Sequence, residues 1–398
     1  MQPNYKIGLE FFVLMEGKNK IIRVTTVPIS LGRLLEGQLK FMSQYYEVVG
    51  VSSKGDDMLQ KVGKQEGVRV IPVEMTRKIT PFKDLMAVYQ LYKIFKKERP
   101  YIVHSHTPKA GTLSMLAAKL ASVPHRLHTI AGLPLLEARG AKRLLLDTVE
   151  KFTYRCATMI YPNSYGLEKI ILQNRFTKPS KLKVIGNGSS NGIDTSYFDP
   201  ELYSQQDNKA LKKQLNILDK DLVFVYVGRF VTDKGINELI KAFKKLNVTN
   251  KDVKLLLVGT YEKELDPLSE ETETEINTNP NIISVGWQDD VRPYFAISDV
   301  LTFPSYREGF PNVVMQAASM GLASVVTNIN GCNEIISNKD NGLIIPVKNE
   351  EALYDNMKKM IENEELRSNM ASKARNSITS RYERKLIWKA ILEEYETL

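Results

Sequence analysis

The sequence predicts an α/β protein made of two doubly wound parallel sheets in succession, and three observations carry that expectation. Short apolar runs alternate with helix-periodic stretches along the chain, the pattern of parallel strands covered on both faces. The alternation pauses once, over the polar segment 196–220, and then restarts. A length of 398 residues exceeds one ordinary domain and suits two.

The first-half strand candidates are IIRVTTV (21–27), YEVVGVS (46–52), VRVIPV (68–73), YIVHSH (101–106), RLHTIAG (126–132), ATMIYPN (157–163) and KLKVIGN (181–187). Helical spacing separates them, as in Phe82, Leu85, Met86, Tyr89 and Tyr92. The second half offers LVFVYVG (222–228), VKLLLVG (253–259), NIISVG (281–286), DVLTFP (299–304), ASVVTN (323–328) and GLIIPV (342–347). A last helix sets Ile387, Ile391 and Tyr395 on one face and can pack on either domain or cross back to the first. The expected organisation is therefore an extension over 1–20, Rossmann-like domains over 21–205 and 206–380, and a C-terminal helix over 381–398. Residues 1–20 lack the cleavage site of a signal peptide, and Met15 before EGKNK reads as the native start. In such sheets ligands bind beyond the carboxyl ends of the strands, and between two domains the cleft is the default site.

Composition narrows the function. No run of 18 apolar residues occurs, so no spanning helix is expected. Cys156 and Cys332 lie far apart, which argues against a disulfide framework or zinc site and for a reducing compartment. The net charge of +9 is uneven: residues 1–205 hold 30 Lys and Arg against 17 Asp and Glu, and the remainder 25 against 29. The imbalance points to one domain that meets an anionic surface or substrate; a merely soluble basic surface is the other reading. No dense basic stripe interleaved with aromatics supports nucleic-acid binding. No Gly-x-Gly-x-x-Gly follows a strand, which argues against a dinucleotide oxidoreductase.

After the strand LVFVYVG comes RFVTDKG. Gly228 ends the strand, and Arg229 and Lys234 flank a tight turn at its carboxyl end. A forked guanidinium and a point-charge ammonium suit a diphosphate; a plain surface pair is the other reading. In YREGFPNVVMQAASMG (306–321), Gly309 and Pro311 leave backbone N–H groups free at a helix start, where phosphate is attracted. Glu308 either caps that helix or accepts from ligand hydroxyls. Asn312 and Gln316, four apart, share a face.

Jointly, GRFVTDKG, SDVLTFPSYREGFPNVVMQAASMG and GCNEIISNKDNGLIIP resemble the nucleotide-sugar domain of family 4 glycosyltransferases of the GT-B fold. RVTTVPISL, IVHSHTPKAG and SSNGID are similar to bacterial members that build capsule, exopolysaccharide and O-antigen units. The resemblance, over about residues 20–380, implies two Rossmann-like domains facing across a cleft. It implies retaining transfer from a nucleoside diphosphate sugar, with uridine diphosphate favoured, and no metal or other cofactor. It places Arg229 and Lys234 on the diphosphate and Glu308 on the donor sugar, with Gly309, Phe310, Pro311 and Asn312 as a backbone cradle. Gln316 stands where the family's second acid meets the ribose. A neutral amide there implies weaker nucleotide binding. His106 matches a histidine lining the donor-sugar pocket, while His104 reads as packing. Ser30, Leu31 and Gly32 stand where relatives have a Gly-Gly loop near the diphosphate, and Glu334 matches a common family acid. The adjacent acids of WQDD (287–290) fit a metal-diphosphate site poorly.

The basic first half is the acceptor side in such enzymes. Two stretches, 81–100 and 140–155, mix Lys and Arg with Leu, Phe and Tyr, as interfacial helices and as ordinary core helices both do. A polyprenyl-diphosphate-linked glycan or another glycan acceptor, met in the cytoplasm at the inner face of an anionic membrane, accounts for charge and apolar patches together. The rival readings on the same fold are a nucleotide-sugar epimerase, a phosphorylase and a non-catalytic sugar-nucleotide binder.

Overall fold

The computed structural model describes residues 17–398 except 77, 134, 136, 137 and 265. The expectation of a start at Met15 lies outside the described residues, as does most of the extension. The chain divides into two compact units. One holds the described residues up to Pro162 with Ile170–Lys183 and Ile391–Leu398; the other holds Asn163–Lys169 and the described residues of Val184–Ala390.

The first unit is built on six parallel strands: β1 (Lys20–Val24), β2 (Glu47–Ser52), β3 (Arg69–Pro72), β4 (Ile102–Ser105), β5 (His125–Ile130) and β6 (Met159–Pro162). Their order is β3-β2-β1-β4-β5-β6. Ile21, Ile22, Val24, Val48, Val49 and Val51 are all buried, so neighbouring residues that point to opposite faces both meet core. The sheet grows from β1 to one side and resumes at β4 on the other. That reversal opens a crevice at the ends of β1 and β4.

The second unit repeats the plan with β7 (Leu222–Val227), β8 (Val253–Val258), β9 (Ile282–Ser284), β10 (Val300–Phe303), β11 (Ala323–Thr327) and β12 (Gly342–Ile345). The order β12-β11-β10-β7-β8-β9 puts its reversal between β7 and β10. No helix among the described residues is long and apolar enough to cross a membrane.

One expectation needs correction. KLKVIGN forms only a single bridge, Leu182 to Ile160. A tight turn at Pro179–Lys181 precedes it, and Gly186 and Gly188 at φ 56° and 90° bend the chain away after it. The helix Pro81–Glu98 forms as its period predicts, and of the two readings of that stretch the apolar stripe takes the outward one. Phe82 is 92% exposed and Leu85 70%, with Met86 and Tyr89 also exposed; the buried face is Ala87, Val88, Leu91 and Phe95.

Candidate active site

In the second unit the loops after β7, β10 and β11 converge at the sheet reversal. β7 ends at Val227, and Gly228 turns the chain at φ 154°. A short 3-10 turn, Thr232–Lys234, then ends at Gly235 with φ 71°, where a Cβ would lie 2.2 Å from the Pro304 carbonyl oxygen. Only glycine lets the two loops lie so close. As a result Lys234 Nζ donates to Glu308 Oε1 at 2.6 Å, with both side chains largely buried. Ser305 Oγ donates to the same oxygen at 3.1 Å.

Gly331, at φ 72°, brings the β11 loop against the other side of this turn. A Cβ there would lie 2.7 Å from both the Gly309 oxygen and Phe310 Cα. Phe310 is buried, with its ring 5.2 Å from that of Tyr382. Pro311 precedes the helix Asn312–Ser319 and supplies no side-chain cap, so the first N–H groups of that helix are left for ligand or solvent. Asn312 is exposed, and Gln316 lies half-buried one turn later. Arg229 is exposed and its Nη1 donates to Glu262 Oε2 at 2.7 Å.

The arrangement offers two cations, an uncapped helix start and a fixed carboxylate around one crevice. It offers no thiol nucleophile. Cys156 and Cys332 are free and buried, and burial pushes both thiols up, with the Glu308 charge adding to the effect on Cys332. Among the described residues no group of three or more His, Cys, Asp or Glu is placed to hold a metal ion.

Residues 207–377 match the family model for glycosyl transferases group 1, and residues 42–188 that for a glycosyl transferase 4-like domain. The capsular polysaccharide biosynthesis glycosyltransferase CapM of Staphylococcus aureus is 33% identical over 379 residues, covering 95% of this chain and 97% of its own. The chain belongs to the family 4 glycosyltransferases of the GT-B fold. Another similar protein of this kind is the Escherichia coli UDP-Gal:alpha-D-GlcNAc-diphosphoundecaprenol alpha-1,3-galactosyltransferase, 29% identical over 77% of this chain and 78% of its own. In fold, the chain is similar to Anabaena HepE, solved in complex with UDP, with a TM-score of 0.78 at 19% identity over 95% of this chain and all of that one. The protein is thus a glycosyltransferase of the capsular and O-antigen type.

In this glycosyltransferase the predicted residues Gly228, Arg229, Lys234, Glu308, Gly309, Phe310, Pro311, Asn312 and Gln316 all lie in the second unit, on the loops and helix just described. Glu334 does other work: its carboxylate oxygens accept the N–H groups of Tyr165 at 2.9 Å and Gly166 at 3.0 Å, at the start of the helix Tyr165–Gln173. Asp290 of WQDD holds Arg292 through both oxygens, at 2.8 and 2.6 Å.

The remaining predicted residues belong to the first unit. Ser30, Leu31 and Gly32 are corrected from loop to helix, Pro28–Leu34. The N–H groups of Ser30 and Leu31 both donate to the Val27 carbonyl, Leu31 is buried, and Gly32 makes room for Val62. Proline at the first helical position and the buried leucine outweigh the glycine. His106 is buried at the end of β4 and accepts from Arg23 Nε at 2.9 Å. His104 packs as expected, bound to Tyr395 and Thr129.

Ser305, Glu262, Gly331 and Arg23 went unpredicted. Ser305 and Gly331 stood inside the motif stretches and carried a signal. Glu262 follows Arg229 by 33 residues, and no spacing rule links them.

Proposed function

We propose that this glycosyltransferase moves a sugar with retention of configuration from a uridine diphosphate sugar to a lipid-linked glycan at the inner face of an anionic membrane, without a metal. The Lys234–Glu308 pair, set across the sheet reversal beside the uncapped helix start, is the observation that carries it. Lys234, Arg229 and the helix N–H groups suit the diphosphate, and Glu308 suits the donor hydroxyls. Gln316 meets the ribose, and His106 meets the sugar. On the front face of the sugar, a donor phosphate oxygen takes the proton of the acceptor hydroxyl while the new glycosidic bond forms and the bond to the diphosphate breaks. The cations stabilise the departing charge. The names of the relatives support the donor and acceptor: the E. coli enzyme uses UDP-Gal and a diphosphoundecaprenol acceptor, and the Anabaena neighbour binds UDP.

The membrane part of the reading rests on the first unit. The helix Pro108–Leu120 is flanked there by Pro81–Glu98 and Gly140–Cys156. The outer two expose Phe82, Leu85, Met86, Leu144 and Leu145 among Lys83, Lys93, Lys96, Lys97, Lys142 and Lys151. Apolar side chains beside lysines fit an anionic bilayer surface, where each basic residue contributes about 1 kcal/mol.

The test is transfer from a panel of nucleoside diphosphate sugars to undecaprenyl-diphosphate-linked acceptors, with product anomers read by NMR, with and without chelator, and flotation on phosphatidylglycerol vesicles. Retained configuration from a UDP-sugar, undiminished by chelator, is expected. Transfer only from another nucleotide overturns the donor, inversion overturns the mechanism, and protein that stays wholly in solution overturns the membrane surface.

A further inference from the structure

The first unit treats the two ring nitrogens of His106 unequally. Arg23, on β1 and fully buried, donates Nε–H to His106 Nε2 at 2.9 Å, while its Nη2 donates to Gln38 Oε1. A guanidinium is a donor only, so His106 Nε2 has to present a lone pair. A neutral ring then carries its single proton on Nδ1, and Nδ1 is buried without a hydrogen-bond partner. Turning the ring over would set a carbon against a buried N–H of Arg23, at the cost of an unmet donor. Protonating it would oppose N–H to N–H and place a second positive charge beside the guanidinium.

The neighbours reinforce this state. His104, its ring centroid 4.2 Å away, uses both nitrogens on the Tyr395 and Thr129 hydroxyls, and His128 Nδ1 is held by Ser105 Oγ at 2.8 Å. Burial first, then His104, Arg23 and His128, holds His106 well below the ordinary histidine range.

We propose that Arg23 is a positioning residue that locks His106 as the neutral Nδ1–H tautomer, a preset hydrogen-bond donor for a hydroxyl of the donor sugar. The sugar as recipient rests on the reading of His106 under the proposed function; the tautomer does not. A buried N–H without an acceptor is costly, and a sugar oxygen placed at Nδ1 removes that cost. The site therefore discriminates against the same sugar lacking that oxygen, in the manner of sites whose polar groups would be left unpaired.

Long-range proton–nitrogen NMR of the uniformly labelled full-length protein tests this, with His106→Gln identifying the ring among four histidines. The expected spectrum shows Nδ1 protonated and Nε2 bare, unchanged between about pH 5 and 8. In Arg23→Met, or in Arg23→Leu if the first does not fold, the proton should redistribute to Nε2 or the ring should titrate. A wild-type ring protonated on Nε2, or titrating in that window, overturns the proposal without any variant. So does an unchanged tautomer in a folded Arg23 variant. Adding UDP-hexoses separates the two readings. An Nδ1 signal that shifts supports both, whereas the expected tautomer unmoved by any donor that the protein turns over overturns the sugar contact alone.

Discussion

Lys234 and Glu308 hold each other at 2.6 Å, so each controls the geometry of the other. Glu308→Gln keeps an acceptor for Lys234 and loses the charge. Turnover should fall by about 100-fold with little change in melting temperature, because what is lost is preorganised charge rather than packing. Turnover at the wild-type rate in steady-state kinetics would remove Glu308 from the chemistry. Arg229 behaves differently, because its partner Glu262 lies near the surface and, on the proposed reading, competes with the donor diphosphate. Arg229→Ala should weaken UDP about tenfold, the scale of one charge-assisted contact. Glu262→Gln should tighten it by about threefold, since an exposed pair is worth under about 1 kcal/mol. Calorimetric titration reads both, and shifts of the same sign would mean that Glu262 organises Arg229 rather than competing for it. Gln316→Glu should also tighten UDP, because a carboxylate accepts ribose hydroxyls more strongly than an amide does. Equal or weaker affinity would refute the ribose assignment.

At the scale of elements, the crevice depends on how closely three loops approach. Gly331→Ala would place a Cβ 2.7 Å from the Gly309 oxygen, at a φ of 72° that alanine tolerates poorly. A cost of about 2 kcal/mol is expected. For a unit of this size that lowers the melting temperature by about 4–8 °C, and UDP affinity should fall with it. Scanning calorimetry and nucleotide titration check the two effects, and a wild-type result in both would show that the loops do not need this approach. The elements themselves were largely legible. Strands buried on both faces are mostly apolar, so runs such as LVFVYV stood out. Leu182, Val184 and Ile185 imitate such a run, but the flanking Pro179 and Gly186 decide the outcome. Helical period located Pro81–Glu98 but could not say which of two apolar stripes faces the core. The types of Lys234 and Glu308 were readable from their motifs. Their pairing was not, because it depends on two loops from different strands meeting at Gly235.

Across the whole molecule, net positive charge and histidine are both concentrated in one half. All four histidines fall in the first unit, and His104, His106 and His128 are buried and held below their ordinary range, chiefly by desolvation. His128 is lowered to about 4 from 6.5. A lowered histidine binds fewer protons folded than unfolded between those values, so its contribution to stability is lost as pH falls from the unfolded value towards the folded one. For His128 alone the loss at pH 5 is about 2 kcal/mol, and the other two act in the same direction. Glu150 opposes them. Burial raises its carboxyl to about 7, so the folded state takes up a proton there and gains stability as pH falls. Four lowered histidines, His125 among them, against one carboxyl leave a net loss. Between about pH 7 and 5, hydrogen exchange corrected for intrinsic rates should therefore show β1, β4 and β5 losing protection, while β7, β8 and β10 of the second unit keep theirs. Glu150→Gln should steepen that loss by removing the opposing group. Protection that falls equally in both sheets would mean that acid acts on the molecule through some other set of groups, and that the buried histidines titrate much as they do in the unfolded chain.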